Sequence, residues 1–209
     1  GGLPILSHQL NALKKYNINE VIIVLGYYKE MIIDYINKNH SEMKFTFITN
    51  NHYLDTNTSY SAYLCKDFLS SSDTLLMNGD VLYPPTLLKQ IIDSHYETVL
   101  AVDIKRCGDE EVKVITDDKK RIISIGKELD IENSLGEFIG VAKLSTPFCN
   151  LFASSLSKLI DDGGQSDYFE SAIEPMLIKH DVFFEDISLL PCIEIDFKED
   201  LQKANELVN

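Results

Sequence analysis

Short, unbroken apolar runs that alternate with amphipathic stretches constrain this chain more than any other feature. Val21-Ile22-Ile23-Val24-Leu25 is one such run, ended by Gly26. Leu75-Leu76-Met77 is another: it follows the polar cluster Ser70 to Asp73 and breaks at Asn78-Gly79. Strands buried on both faces of a parallel sheet read in this way, without polar alternation. Between them the period changes. Ser7 to Tyr16, with Leu6, Leu10 and Leu13 on one face, predicts an amphipathic helix capped by Ser7. Lys29 to Asn39 predicts a second helix with Met31, Ile32, Tyr35 and Ile36 inward, and Lys44 to Thr49 a strand. Alternating helix and strand argues for βαβ units and a doubly wound sheet.

The rest of the chain continues the alternation. A helix is expected at Ala62 to Phe68, and Pro84 or Pro85 suits the first turn of another over Thr86 to Ser94, where no amide proton is needed. A strand follows at Thr98 to Asp103. Glu111 to Thr116 and Arg121 to Ile125 form a hairpin around Asp117-Asp118-Lys119-Lys120, and Glu137 to Leu144 is a further strand. Helices are expected at Thr146 to Ile160 and Tyr168 to His180, strands at Phe183 to Asp186 and Ile193 to Ile195, and a closing helix from Glu199. No repeat or low-complexity tract divides the sequence, so a single domain over residues 1–209 is expected.

Composition narrows the class. With 209 residues, 44% of them hydrophobic, the chain can bury a large core. Its net charge of −14 and the lack of any Lys/Arg run argue against a nucleic-acid surface or an anionic-membrane patch. Cys65, Cys107, Cys149 and Cys192 make no CxxC pair, which suggests neither a zinc site nor a disulfide scaffold. They fit a reducing cytosol. No signal peptide or apolar run near 18 residues is apparent, and a soluble cytoplasmic protein is the expectation.

Chemistry concentrates where strands end. Asp80, beside Gly79, should stand just beyond the carboxyl end of a central strand, where open α/β sheets bind ligands. A carboxylate there suits a hard cation such as Mg²⁺ that also holds phosphates; an Asp that only caps the next helix is the competing reading. Asp196 likewise closes an apolar strand and precedes a helix. If the two strands are parallel neighbours, both carboxylates can share one divalent ion, which makes a bridged triphosphate a better electrophile. Lys127, just past a strand, could hold a phosphate as a point charge, against the plainer reading of a solvated lysine. The polar, aromatic-laced segment from Asn50 to Ser61 is either a recognition surface for base and phosphate or a solvated loop with helix caps at Asn57 or Ser59.

Taken together, Pro4-Ile5-Leu6-x-His8-Gln9-Leu10, the run from Val21 to Gly26-Tyr27, Asn57 to Leu64, Asn78-Gly79-Asp80, Ile125-Gly126-Lys127, Gly136 to Gly140, and Glu194-Ile195-Asp196 with Glu199-Asp200-Leu201 resemble the sugar-nucleotidyltransferase family. The likeness is greatest to its phosphocholine and 2-aminoethylphosphonate cytidylyltransferases. It implies a Rossmann-like nucleotidyltransferase fold, α/β, with a mixed, mostly parallel sheet flanked by helices. It also implies a Mg²⁺-dependent reaction in which CTP and a small phosphate or phosphonate give an activated conjugate and pyrophosphate. Under the resemblance Asp80, Lys127 and Asp196 are catalytic, the two aspartates as metal ligands and Lys127 through its contact with the acceptor phosphate. Gly79, Asn57 and Ser61 would line the nucleotide side, Glu137 and Tyr60 the acceptor side. Tyr53, Tyr60, Tyr63, Tyr168 and Phe169 could enclose a quaternary ammonium by cation–π contact, or be core. A homodimer is left open, and neither nucleic acid nor membrane is implied as a partner.

The family pattern also opens with a strand and a glycine-rich loop whose Arg and Lys cradle the triphosphate, and this sequence begins after that point. Loss of a central strand would leave unpaired backbone groups, so an upstream segment is expected, whether omitted, removed or supplied by another chain. Two alternatives stay in view: a sugar-1-phosphate nucleotidyltransferase and a non-catalytic nucleotide-binding module. A dehydrogenase is disfavoured, because no GxGxxG follows any strand.

Overall fold

The computed structural model describes residues 1–69 and 71–208; Ser70, the first residue of the polar cluster, lies outside them. In chain order the elements are α1 (Ile5–Lys15), β1 (Glu20–Leu25), α2 (Lys29–Asn39), β2 (Lys44–Thr49), α3 (Thr58–Leu64), α4 (Lys66–Leu69), β3 (Thr74–Met77), β4 (Val81–Leu82) and α5 (Pro85–Asp93). They continue as β5 (Val99–Asp103), β6 (Lys113–Thr116), β7 (Ile122–Gly126), β8 (Gly136–Leu144), α6 (Thr146–Asp161), α7 (Glu170–Ile173), β9 (Phe183–Asp186), β10 (Ile193–Glu194) and α8 (Lys198–Leu207). Two compact units result, one of residues 1–17, 75–144 and 181–209, the other of residues 18–74 and 145–180. No helix among the described residues is long and apolar enough to cross a membrane.

The first unit is built on a mixed sheet in the order β7-β6-β8-β5-β9, with β3 also paired to β8. β5 and β9 run parallel, while β6–β7, β6–β8 and β5–β8 are antiparallel. β4 and β10 form a separate antiparallel ribbon. Val99 to Val102 are fully buried, and Leu10, Ala12 and Leu13 of α1 and Leu87, Leu88 and Ile91 of α5 are also sealed from solvent. Each large apolar side chain buried this way contributes about 1.5–3 kcal/mol.

In the second unit β1 and β2 pair in parallel from Glu20↔Lys44 to Leu25↔Thr49. α6 buries Phe148, Phe152, Leu156 and Ile160, four residues apart on one face. Its first turn is capped from a distance, since the Thr146 amide and hydroxyl both donate to Asp73 Oδ1, at 2.7 and 2.8 Å.

Five local expectations need correction, two of them on burial: Ile22 leaves one face of β1 open to solvent, and Met31 of α2 is exposed instead of turned inward. Ser7 is not the cap of α1: the helix is entered from extended Pro4, and Ser7 is buried within it. The helix expected at Ala62 to Phe68 is two short ones that meet at Cys65. The long helix expected at Tyr168 to His180 is a four-residue α7 followed by a 3₁₀ turn, Glu174–Met176, where Pro175 removes a helical donor.

Two glycines let β8 approach its neighbours closely. At Gly136 a Cβ would stand 2.1 Å from the Asp103 carbonyl, so only glycine lets the start of β8 lie this close to the end of β5. At Gly140 (φ +74°) β8 bulges, with Phe138 and Ala142 spanning only Val102 and Leu100 of β5. A Cβ at Gly140 would meet Asn78 Nδ2 at 2.3 Å. Gly140→Ala combines left-handed strain with that overlap. We expect it to lower stability by roughly 2–4 kcal/mol, read from urea unfolding; an unchanged midpoint would show that the bulge relaxes freely.

Candidate active site

Asp80 sits in the turn Asn78-Gly79-Asp80-Val81 between β3 and β4, and that turn is anchored from three directions. The Asn78 amide donates to the Gly140 carbonyl of the β8 bulge at 2.8 Å. The Gln9 side chain of α1, 4% exposed, donates from Nε2 to the carbonyls of Asn78 (2.8 Å) and Val81 (3.0 Å). The Ile195 amide donates to the Asp80 carbonyl at 3.0 Å, extending the ladder in which Glu194 faces Val81 and Ile193 faces Leu82. The strand that delivers Asp196 is therefore antiparallel to β4, so the carboxylates come together without the parallel pairing on which the sequence argument was conditioned.

The ribbon brings Asp80, Glu194 and Asp196 together, each with a carboxylate oxygen within 4.8 Å of the others. Glu194 and Asp196 share one side because side chains alternate along an extended segment. Asp80 is half-buried, and its Oδ1 is a buried oxygen with no hydrogen-bond partner. Nor does it cap the next helix: α5 starts from Pro84 with Pro85 in its first turn and no side-chain cap. Burial lifts the Asp80 carboxyl above its usual value against a local backbone hydrogen bond, and the Asp196 charge lifts it further. Burial, then Asp80, Asp196 and Glu137, push the Glu194 carboxyl up to about 7, opposed by Lys127. A crowded set of oxygens with one left unsatisfied is a donor set that a hard divalent cation fits.

Lys127 and Glu137 lie in the same unit, near enough for both charges to act on Glu194. Lys127 follows the last residue of β7, and its Nζ stands 3.7 Å from Glu110 Oε2. Glu137, near the start of β8, pairs with Lys105 (Nζ to Oε2, 2.6 Å), and Lys105 also lies 3.8 Å from Asp103. Burial raises the Glu137 carboxyl in spite of this partner. At Lys105 desolvation pulls the ammonium down, but Glu137, Asp103 and Glu111 outweigh it.

Asn57, Tyr60 and Ser61 belong to the second unit. Asn57 caps α3, its side-chain oxygen accepting from the Thr58 amide at 2.8 Å, which is the plainer of the two readings given for this segment. The Ser61 amide donates to the Asn57 carbonyl at 3.3 Å. The Tyr60 ring contacts Tyr63 (6.0 Å between centroids) and His52 (6.1 Å, edge-on). Tyr63 already carries a cation, the Lys66 ammonium 4.0 Å above its ring, and Phe169 is core.

Among first-unit residues the sequence reading missed Gln9, Lys105 and Glu194 as contributors. Glu194 was readable, since Glu-Ile-Asp at a strand end puts two carboxylates on one side. Gln9 and Lys105 act on groups far away in sequence and carry no such signal.

This arrangement separates a ligand role for Asp80 from a structural one. Asp80→Asn should raise the melting temperature of the metal-free protein by roughly 2–4 °C, because it removes a charge from a crowded, half-buried site; a fall would mark Asp80 as structural. Gln9→Leu should cost about 1–3 kcal/mol by leaving the Asn78 and Val81 carbonyls without a donor. Chemical denaturation would test it, and loss near zero would mean water replaces the amide.

The architecture is that of the nucleotidyltransferases. The structure of CTP:phosphocholine cytidylyltransferase from Streptococcus pneumoniae superposes with a TM-score of 0.80 at 21% identity, over all of this chain and 87% of the other. A choline-phosphate cytidylyltransferase of the same organism is 26% identical over 207 residues, covering 98% of this chain and 85% of the relative. A CTP:phosphoglutamine cytidylyltransferase of Campylobacter jejuni is 25% identical over 159 residues, covering 69% and 62%. Over residues 3–122 the chain belongs to the family described as a domain of unknown function, DUF6564.

Proposed function

We propose that this chain is a Mg²⁺-dependent cytidylyltransferase that joins CTP to a small phosphate or phosphonate, such as phosphocholine or 2-aminoethylphosphonate, and releases pyrophosphate. One observation carries the reading: Asp80, Glu194 and Asp196 meet around an unsatisfied buried oxygen at the end of β3. Relatives named as cytidylyltransferases for choline phosphate and phosphoglutamine support the reaction class. An acceptor oxygen would attack the α-phosphorus of CTP while the bond from that phosphorus to the bridging oxygen breaks, with pyrophosphate as leaving group.

Asp80, Asp196 and Glu194 would hold the cation, which supplies charge neutralisation on the triphosphate. Lys127 would hold the acceptor phosphate as a point charge and orient its oxygen. Glu137 is assigned to the rest of the acceptor, with Lys105 fixing its carboxylate. Asn57 and Ser61, with Gly79, are assigned to the nucleotide and Tyr60 to the acceptor.

The test is pyrophosphate release with Mg²⁺, crossing the four common nucleoside triphosphates with phosphocholine, 2-aminoethylphosphonate and glucose 1-phosphate. A signal confined to CTP and an amino-alkyl acceptor is expected. Turnover only with glucose 1-phosphate would replace this reading with a sugar-1-phosphate nucleotidyltransferase. Asp80→Asn should abolish turnover, and Lys127→Ala should raise the acceptor KM while leaving the CTP KM near its starting value.

A further inference from the structure

Lys113 is 1% exposed, the most completely enclosed cationic side chain of the first unit among the described residues, and no part of the proposed chemistry uses it. It opens β6, between two strands that lead into the acceptor residues. Its register partner on β7 is Gly126, which immediately precedes Lys127, and its partner on β8 is Glu137 itself. Its ammonium donates to three backbone carbonyls: Asp109 at 3.2 Å, Glu111 at 3.3 Å and Lys127 at 2.5 Å.

An ammonium has three N–H donors, and burying one is costly unless they are satisfied. A purely packing position on a strand would be filled with less desolvation by Met or Leu. What the ammonium holds explains its presence. One carbonyl belongs to Lys127, and the other two belong to the acidic loop before β6. The side chains of that loop reach the same residues: Glu110 stands 3.7 Å from Lys127 Nζ, and the Glu111 charge acts on both Lys105 and Glu137. A single buried cation thus ties the backbone under Lys127 to the loop that faces it.

We propose that Lys113 is a positioning residue for the acceptor side of the site, fixing Lys127 and the loop of residues 109–111 in register with Glu137. The assignment of Lys127 to an acceptor phosphate rests on the function proposed above; the mechanical link from Lys113 to Lys127 does not. Acting through another residue, Lys113 should show its effect only where that residue shows its own.

The experiment compares the wild type with Lys113→Met, Lys127→Ala and the double variant, each first checked for folding by circular dichroism. Hydrogen–deuterium exchange reads the link without turnover. Lys113→Met should speed exchange at residues 108–112 and 126–129 and leave residues 78–82 and 193–197 at wild-type rates. Exchange rising throughout the first unit, or nowhere, would overturn the proposal. Pyrophosphate release with CTP and phosphocholine or 2-aminoethylphosphonate reads the consequence. Lys113→Met should raise the acceptor KM roughly tenfold, with the CTP KM changed less than about twofold, and the double variant should be no worse than Lys127→Ala. Multiplying effects in the double variant would also overturn it. Silence of the wild type with every acceptor would instead remove the cytidylyltransferase reading, and the exchange result would still decide whether Lys113 holds Lys127.

Discussion

Three carboxylates within 4.8 Å of one another repel, and the first unit is arranged to hold them there regardless. The clamp is made of hydrogen bonds to the main chain. β10 lies along β4, α1 sends Gln9 to both ends of the Asp80 turn, and the β8 bulge takes the Asn78 amide. None of these contacts touches a carboxylate oxygen, so the oxygens stay available and the position is fixed by groups that do not compete with a ligand. Under the proposed function, a bound cation would relieve that repulsion.

Charge around Glu137 is concentrated in the same way. Lys105 is directed to Glu137, while Lys127 acts on Glu194 and stands near Glu110. The first unit places three lysines, Lys105, Lys113 and Lys127, around the β6–β7–β8 corner, where the proposed function would bring a phosphate.

Elements defined by an uninterrupted local pattern were legible in the sequence. The apolar run at Val21 to Leu25 is β1, and the hairpin around Asp117 to Lys120 is β6–β7. Expectations failed where a single backbone event intervened, at Pro4 before α1, at Cys65 and at Pro175. In the candidate site Asp80 and Asp196 stood out because strand ends are where ligands gather. Gln9 and Lys113 did not, because each works on main-chain carbonyls, which carry no side-chain signature. Gln9 bonds residues 69 and 72 positions away, a separation no local period encodes.

β7 lies at one end of its sheet, and the Lys113 ammonium ties the loop before β6 to the residue that follows β7. The cluster at Asp80 hangs instead from α1, the β8 bulge and β10. The two sets of contacts differ, although both touch β8, at Glu137 and at Gly140. Residues 108–111 could therefore be lengthened, shortened or recharged without touching the hydrogen bonds that hold the Asp80 turn. The edge of the sheet is where this fold can diversify with least disturbance to its core.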